Sequence, residues 1–234
     1  MIVGGGAVGP EIVERFVTLA GGPEANFVVF PTAAEDNQIQ PEKIRHEFME
    51  HYGVKHVTVL HTRSRQEADK PEFCAALRRA SAVWFEGGRQ WRLADSYLGV
   101  LAEREVKAVL ERGGVVGGSS AGATILGSYL VRGAPEGNSI MMSPGHERGF
   151  ALLQNAAIDQ HVIQRHREKD LIPVIEAHPE LLGIGIDEGA AIVVEHDRFQ
   201  VIGASKVLIY DGRDHGGQKY FVLSPGDTFD LGRK

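Results

Sequence analysis

The stretch Gly114-Val115-Val116-Gly117-Gly118-Ser119-Ser120-Ala121-Gly122-Ala123-Thr124-Ile125-Leu126 reads as a strand, a sharp turn and the start of a helix. Within it, Gly118 to Gly122 fits G-x-S-x-G with Ser120 at the centre, in the strand-to-helix context which that pattern requires. The reason is steric. A turn tight enough to lift a serine hydroxyl above the sheet edge strains the serine backbone, so its neighbours must be small. The amide of Ala121, at the helix N-terminus, is placed to donate to a developing oxyanion. The same residues also fit a glycine-rich turn whose serine caps the helix.

Outward from this turn, short β-rich runs alternate with helical patterns, the signature of βαβ units and a mostly parallel sheet. Phe27 to Pro31, Val54 to Leu60, Ala82 to Glu86 and Gly114 to Gly117 are the expected strands. Helical spacing covers 10 to 20, with Ile12, Val13, Phe16 and Val17 on one face, then 41 to 52 and 103 to 112. After about residue 183 the pattern changes to successive strands: Gly183 to Asp187, Ala190 to Glu195, Phe199 to Ile202, Val207 to Tyr210 and Tyr220 to Leu223. These are expected to extend or cap the same sheet. No repeat, low-complexity tract or linker divides residues 1–234, so one α/β hydrolytic domain is expected.

Composition narrows the function. The chain has 43% hydrophobic and 24% charged residues, a globular balance, and its net charge of −6 provides no basic field for nucleic acid or an anionic membrane. No apolar run reaches the length of a membrane span. The one cysteine, Cys74, can form neither an intrachain disulfide nor a thiolate cluster, and Phe-Cys-Ala-Ala-Leu reads as the apolar face of a helix. The start, Met1-Ile2-Val3 before Gly4-Gly5-Gly6, shows a strand stub and no leader. A cytoplasmic protein is expected, with secretion after removal of a leader as the alternative.

A serine nucleophile needs a base, and His161 stands out among ten histidines because Ile158-Asp159-Gln160-His161 ends an apolar run in polar groups. Arg165 and Arg167 follow, suited to hold carboxylates bidentately or simply to form a solvated charged helix start. The acid that fixes the imidazole is Glu188, Asp187 or Glu136; Glu188 follows a strand end, where α/β sheets put functional groups. Phe85-Glu86-Gly87-Gly88-Arg89-Gln90 is a second loop of small residues after a strand. It offers the amide of Gly88 to the oxyanion and Gln90 to substrate, or is simply a β-to-α turn.

Gly4-x-Gly6-x-x-Gly9 fits the dinucleotide fingerprint, but the acidic residue required about twenty positions on is missing, because the next strand runs into Pro31-Thr32-Ala33. His51/His56 and His161/His166 lie off the i, i+4 spacing of a metal pair on one helical face. Neither cofactor nor metal is expected.

Taken together, Val3-Gly4-Gly5-Gly6, Phe30-Pro31-Thr32-Ala33, Phe85 to Gln90, Gly118 to Ala123, Asp159-Gln160-His161 with Gln164-Arg165, Gly185 to Glu188 and Pro225-Gly226-Asp227 resemble one family. It is the family of serine peptidases that contains cyanophycinase and the aspartyl dipeptidase known as dipeptidase E, relatives of class I glutamine amidotransferases in fold. The resemblance covers nearly the whole chain. It implies a flavodoxin-like three-layer α/β sandwich with a mostly parallel sheet and a strand-rich C-terminal part. It places the nucleophile on Ser120, the base on His161 and the acid on Glu188, with Glu136 as the alternative.

The Asp-Gln-His run followed by arginines is more similar to cyanophycinase than to dipeptidase E. That implies hydrolysis of cyanophycin, a poly-aspartate carrying arginine on its side chains, to β-Asp-Arg. Gln90, Asp159, Gln160, Arg165 and Arg167 would surround the substrate, with Asp159 taking an arginine side chain, and a homodimer is implied. Where cyanophycinases carry a further arginine near position 170 this chain has Asp170, and where they carry a small residue the chain has His166, so the pocket charge differs. The alternatives are an aspartyl or isoaspartyl dipeptidase acting on short peptides and a non-catalytic small-molecule-binding protein on the same fold.

Overall fold

The structure is a computed structural model that describes residues 1–233. Its strands are β1 (Ile2–Val3), β2 (Asn26–Phe30), β3 (His56–Val59), β4 (Ala82–Phe85), β5 (Val115–Ser119), β6 (Gly127–Tyr129), β7 (Leu153–Gln160), β8 (Leu182–Ile186), β9 (Ala190–Glu195), β10 (Arg198–Gly203), β11 (Val207–Tyr210), β12 (Phe221–Leu223) and β13 (Thr228–Asp230). The helices are α1 (Pro10–Leu19), α2 (Pro41–Tyr52), α3 (Arg65–Ala68), α4 (Gln90–Tyr97), α5 (Leu101–Glu111), α6 (Ala121–Thr124) and α7 (Ile172–Ala177), with short 3-10 turns between them.

An eight-stranded sheet runs β13-β10-β9-β1-β5-β4-β2-β3. Its β1, β5, β4, β2 and β3 are parallel, while β9, β10 and β13 extend it antiparallel beyond β1. The parallel strands are apolar on both sides because both faces are covered. On one face Phe16 of α1 and Phe48 and Tyr52 of α2 pack with Phe27 and Trp84. Both helices begin with proline at the first position, where no N–H is needed, and α2 stops at Gly53, whose φ of 64° a side chain would resist. On the other face Val106 and Val109 of α5 join a core with Val28, Val83 and Val116.

The C-terminal strands do not all extend this sheet. A second, five-stranded sheet, β12-β11-β8-β7-β6, pairs β6, β7 and β8 in parallel, and Ile158, Ile184, Ile186, Val207 and Ile209 enter the α5-side core. The alternation of each strand reports which face is buried but carries no information on which edge it joins. Smaller differences follow from the same locality. The strand expected from Val54 is confined to His56–Val59, the helix expected at 103 starts at Leu101, and Tyr220 lies outside β12. Cys74 sits in a 3-10 turn, Phe73–Ala75, buried with its thiol against Ala68 O at 3.5 Å.

Candidate active site

Ser120 leaves β5 with φ 56° and ψ −114°, a conformation that sterics disfavour for any side chain. Its amide donates to Val3 O at 3.1 Å. The need for small neighbours is visible in the contacts. A Cβ at Gly118 would lie 2.3 Å from Gly122 O, and one at Gly122 would lie 2.0 Å from Phe85 O. The hydroxyl is thereby raised at the C-terminal edge of the parallel strands, where an open α/β sheet presents its ligands.

His161 follows the last residue of β7 with φ 57°, its amide donating to Gly4 O at 3.0 Å. Nε2 lies 2.8 Å from Ser120 Oγ, and Nδ1 lies 2.5 Å from Oε1 of Glu188, which stands just beyond β8. With Glu188 accepting from Nδ1–H, Nε2 is left free to accept the serine proton. The imidazole is buried, and this burial holds its pKa below the usual histidine value. Glu188 opposes that shift, while Arg165 and Arg167 add to it.

The glycine run that mimics a dinucleotide fingerprint has a different task here. A Cβ at Gly4 would meet Asp187 O at 2.2 Å, one at Gly5 would meet His161 Cε1 at 2.1 Å, and one at Gly6 would meet Glu188 Oε2 at 2.8 Å. The loop after β1 is the seat of the imidazole and of its carboxylate.

Of the three candidate acids, Glu188 reaches His161. Asp187 is engaged elsewhere: Oδ1 accepts the amides of Ile163 and Gln164 at 3.0 and 2.8 Å, and Oδ2 accepts the Ser205 hydroxyl at 2.7 Å. It organises the turn after His161. Glu136 is exposed in the loop between β6 and β7. The Gly87-Gly88 turn lies against the serine, since a Cβ at Gly87 would be 3.8 Å from Ser120 Oγ. Gly88 itself, at φ 141°, packs so closely on Ala33 O that a Cβ would lie 2.2 Å away.

The expected substrate contacts divide. Gln90 is buried and donates from Nε2 to Val131 O at 2.8 Å, so it holds the loop after β6. Asp159, expected to meet an arginine side chain of the substrate, is also buried, and its two oxygens accept from Nε and Nη2 of Arg132 at 2.8 and 2.9 Å. Gln160 is buried, with its Oε1 3.4 Å from Nη1 of Arg167. Arg165 is exposed, and Arg167 is half-buried, its pKa lowered by burial and by the nearby Arg132. Arg132 escaped sequence reasoning, because Val-Arg-Gly in a loop carries no local signal of burial. Among the described residues no group of three or more His, Cys, Asp or Glu is arranged to hold a metal ion, and no helix is long and apolar enough to cross a membrane.

Residues 2–202 match the pattern of Peptidase family S51. A cyanophycinase of Geminocystis herdmanii is 31% identical over 88% of this chain and 76% of its own length. A cyanophycinase of Trichormus variabilis is 33% identical over 95% of this chain and 81% of its own. Among solved structures, a peptidase from an acI-B1 Actinobacterium superposes with a TM-score of 0.76 at 25% identity, covering 97% of this chain and 94% of that one. A putative peptidase E protein from Listeria monocytogenes shares the fold, with a TM-score of 0.59 at 17% identity over 82% of this chain and 93% of that one.

Proposed function

The chain belongs to peptidase family S51 and is a serine-type peptidase, and from that premise we propose that Ser120, His161 and Glu188 are its catalytic triad and cyanophycin its substrate. The observation that carries the triad is the continuous relay from Ser120 Oγ through both ring nitrogens of His161 to Glu188, at 2.8 and 2.5 Å. The substrate is supported by the curated cyanophycinases at 31 and 33% identity.

In this reading His161 takes the proton of Ser120 as the hydroxyl attacks an amide carbonyl next to an aspartyl residue. Amides of Gly88 and Ala121 receive the oxyanion, and His161 passes the proton to the leaving amine. Water, deprotonated in turn by His161, then releases the acyl group and restores the serine. Glu188 holds the imidazole in the required tautomer and balances its transient charge. Arg165 and Arg167 bind substrate carboxylates.

A second reading, an aspartyl or isoaspartyl dipeptidase on short peptides, is favoured by one observation: the carboxylate expected to take a substrate arginine is already held by Arg132. The deciding experiment incubates wild type and Ser120→Ala with insoluble cyanophycin and with α- and β-aspartyl dipeptides, following products by mass. Release of β-Asp-Arg from the polymer by the wild type alone supports the first reading, and dipeptide cleavage without polymer cleavage supports the second. Equal activity in the serine variant removes the triad.

A further inference from the structure

Arg132, in the loop after β6, is 1% exposed and adopts φ 56°. Nε and Nη2 meet Oδ1 and Oδ2 of Asp159 at 2.8 and 2.9 Å, the fork by which a guanidinium reads a carboxylate. Nη2 also reaches Asp170 Oδ2 at 2.6 Å, and Nη1 donates to Asn138 O at 2.7 Å. Burial opposes this charge, and Asp159 and then Asp170 more than offset it, holding the guanidinium pKa above its usual value. Asp159 is 0% exposed, and its Oδ1 further accepts the amide of Gln160 at 2.9 Å, one residue before His161. An incoming cation finds no open face on Asp159.

We propose that Arg132 is an internal stand-in for a substrate guanidinium, so that the site reads the carboxylates of an aspartyl substrate and does not read an arginine side chain. This rests on the triad reading above. Asp159 is then a positioning residue, fixing through the Gln160 amide the chain end that carries His161. Two cations that act on His161 are in no direct ion pair with a carboxylate. Neither has an ion pair within 4.0 Å among the described residues: Arg165 is exposed, and Nη1 of Arg167 lies 3.5 and 3.4 Å from Gln160 O and Oε1, with Asp159 and Asp170 acting on it from farther away. Their chemistry suits free carboxylates. Arginine carried by a substrate would be tolerated here without contributing selectivity.

The test compares the trimer (β-Asp-Arg)3 with the same trimer carrying citrulline, the neutral isostere of arginine, and with a trimer whose C-terminal and arginine α-carboxylates are all amidated. Binding is measured by calorimetry on Ser120→Ala, which retains the site without turnover. Expected affinities are within about threefold for arginine against citrulline, and at least about tenfold weaker after amidation. An arginine preference of about tenfold or more overturns the proposal, as does binding unaffected by amidation or absence of binding to all three.

Asp159→Asn separates positioning from contact. A positioning role lowers kcat with the arginine-to-citrulline ratio of kcat/KM unchanged, whereas a tenfold change in that ratio overturns the proposal. Because Asp159→Asn leaves Arg132 partly unpaired, the double variant Arg132→Met/Asp159→Asn, which removes both charges, is measured beside it and is expected to keep the same ratio. Should wild type fail on cyanophycin while calorimetry gives the expected pattern, the assigned substrate falls and the carboxylate selectivity stands.

Discussion

The backbone of Gly5 lies directly against the imidazole of His161: a Cβ added there would stand 2.1 Å from Cε1 and 2.7 Å from each ring nitrogen. The φ of Gly5, 113°, is one that side chains resist, so backbone and ring together exclude any other residue. Gly5→Ala is therefore expected to displace the imidazole and lower kcat on the order of 10²-fold, the usual cost of misplacing a catalytic group by about 1 Å. Steady-state kinetics on a folded variant checks this. Wild-type kcat would mean that the glycine loop does not set the ring.

Ser120→Ala removes the oxygen proposed to attack without changing the packing that holds Gly118 and Gly122. Turnover is expected to fall on the order of 10⁶-fold, with circular dichroism and melting temperature unchanged. A serine-directed phosphonate is expected to label Ser120 in the wild type, as read by peptide mass. Labelling at another serine would move the nucleophile.

Among the acids, Glu188→Gln is expected to lower kcat about 10⁴-fold, since the amide can no longer hold the tautomer and charge of His161. Glu136→Gln, on an exposed loop, should leave kcat within about twofold of wild type. Asp187→Asn disturbs a carboxylate that accepts two amides and a hydroxyl, so a loss of about 1–3 kcal/mol in urea unfolding is expected. If Glu136→Gln proves the crippled variant, the acid assignment is wrong.

The pH profile follows from the burial of His161, which depresses its pKa below 6.5. As the proposed base it must be neutral, so kcat/KM should hold through pH 6.5 and fall only below it. Arg165 and Arg167 also press the pKa down, and Arg165→Ala is expected to move the acid limb upward. The stability sign agrees. The unfolded chain binds this proton more readily than the folded one, so the contribution of His161 to stability is lost as pH falls through 6.5 towards the folded pKa. An acid limb above 6.5 in the wild type would contradict the burial argument.

The elbow around Ser120 was legible because its constraint is local: tight turn, strained serine and small neighbours all fall within five residues. His161 and Glu188 were harder, since their pairing comes from β7 and β8 lying side by side, which the residues around each do not encode. Gly4 to Gly9 shows the same limit from the other direction. A glycine run tells that something approaches the backbone closely, and only the fold shows that the visitor is an imidazole and not a pyrophosphate. Arg132 left no trace in sequence, because a buried arginine differs from an exposed one only in the two aspartates, 27 and 38 residues away, that the fold brings to it.

Ser120 hangs from the eight-stranded sheet, whereas His161 and Glu188 hang from neighbouring strands of the five-stranded one. The proton path of the proposed triad therefore crosses from one sheet to the other. The seam between the sheets is held by apolar packing and by the bond from His161 N to Gly4 O at 3.0 Å; once that bond opens, each sheet can keep its own ladder while a slip of about an ångström parts the hydroxyl from the ring. Turnover in this molecule is thus a gauge of docking: under mild denaturant the chemistry should fade while the far-ultraviolet spectrum still looks native.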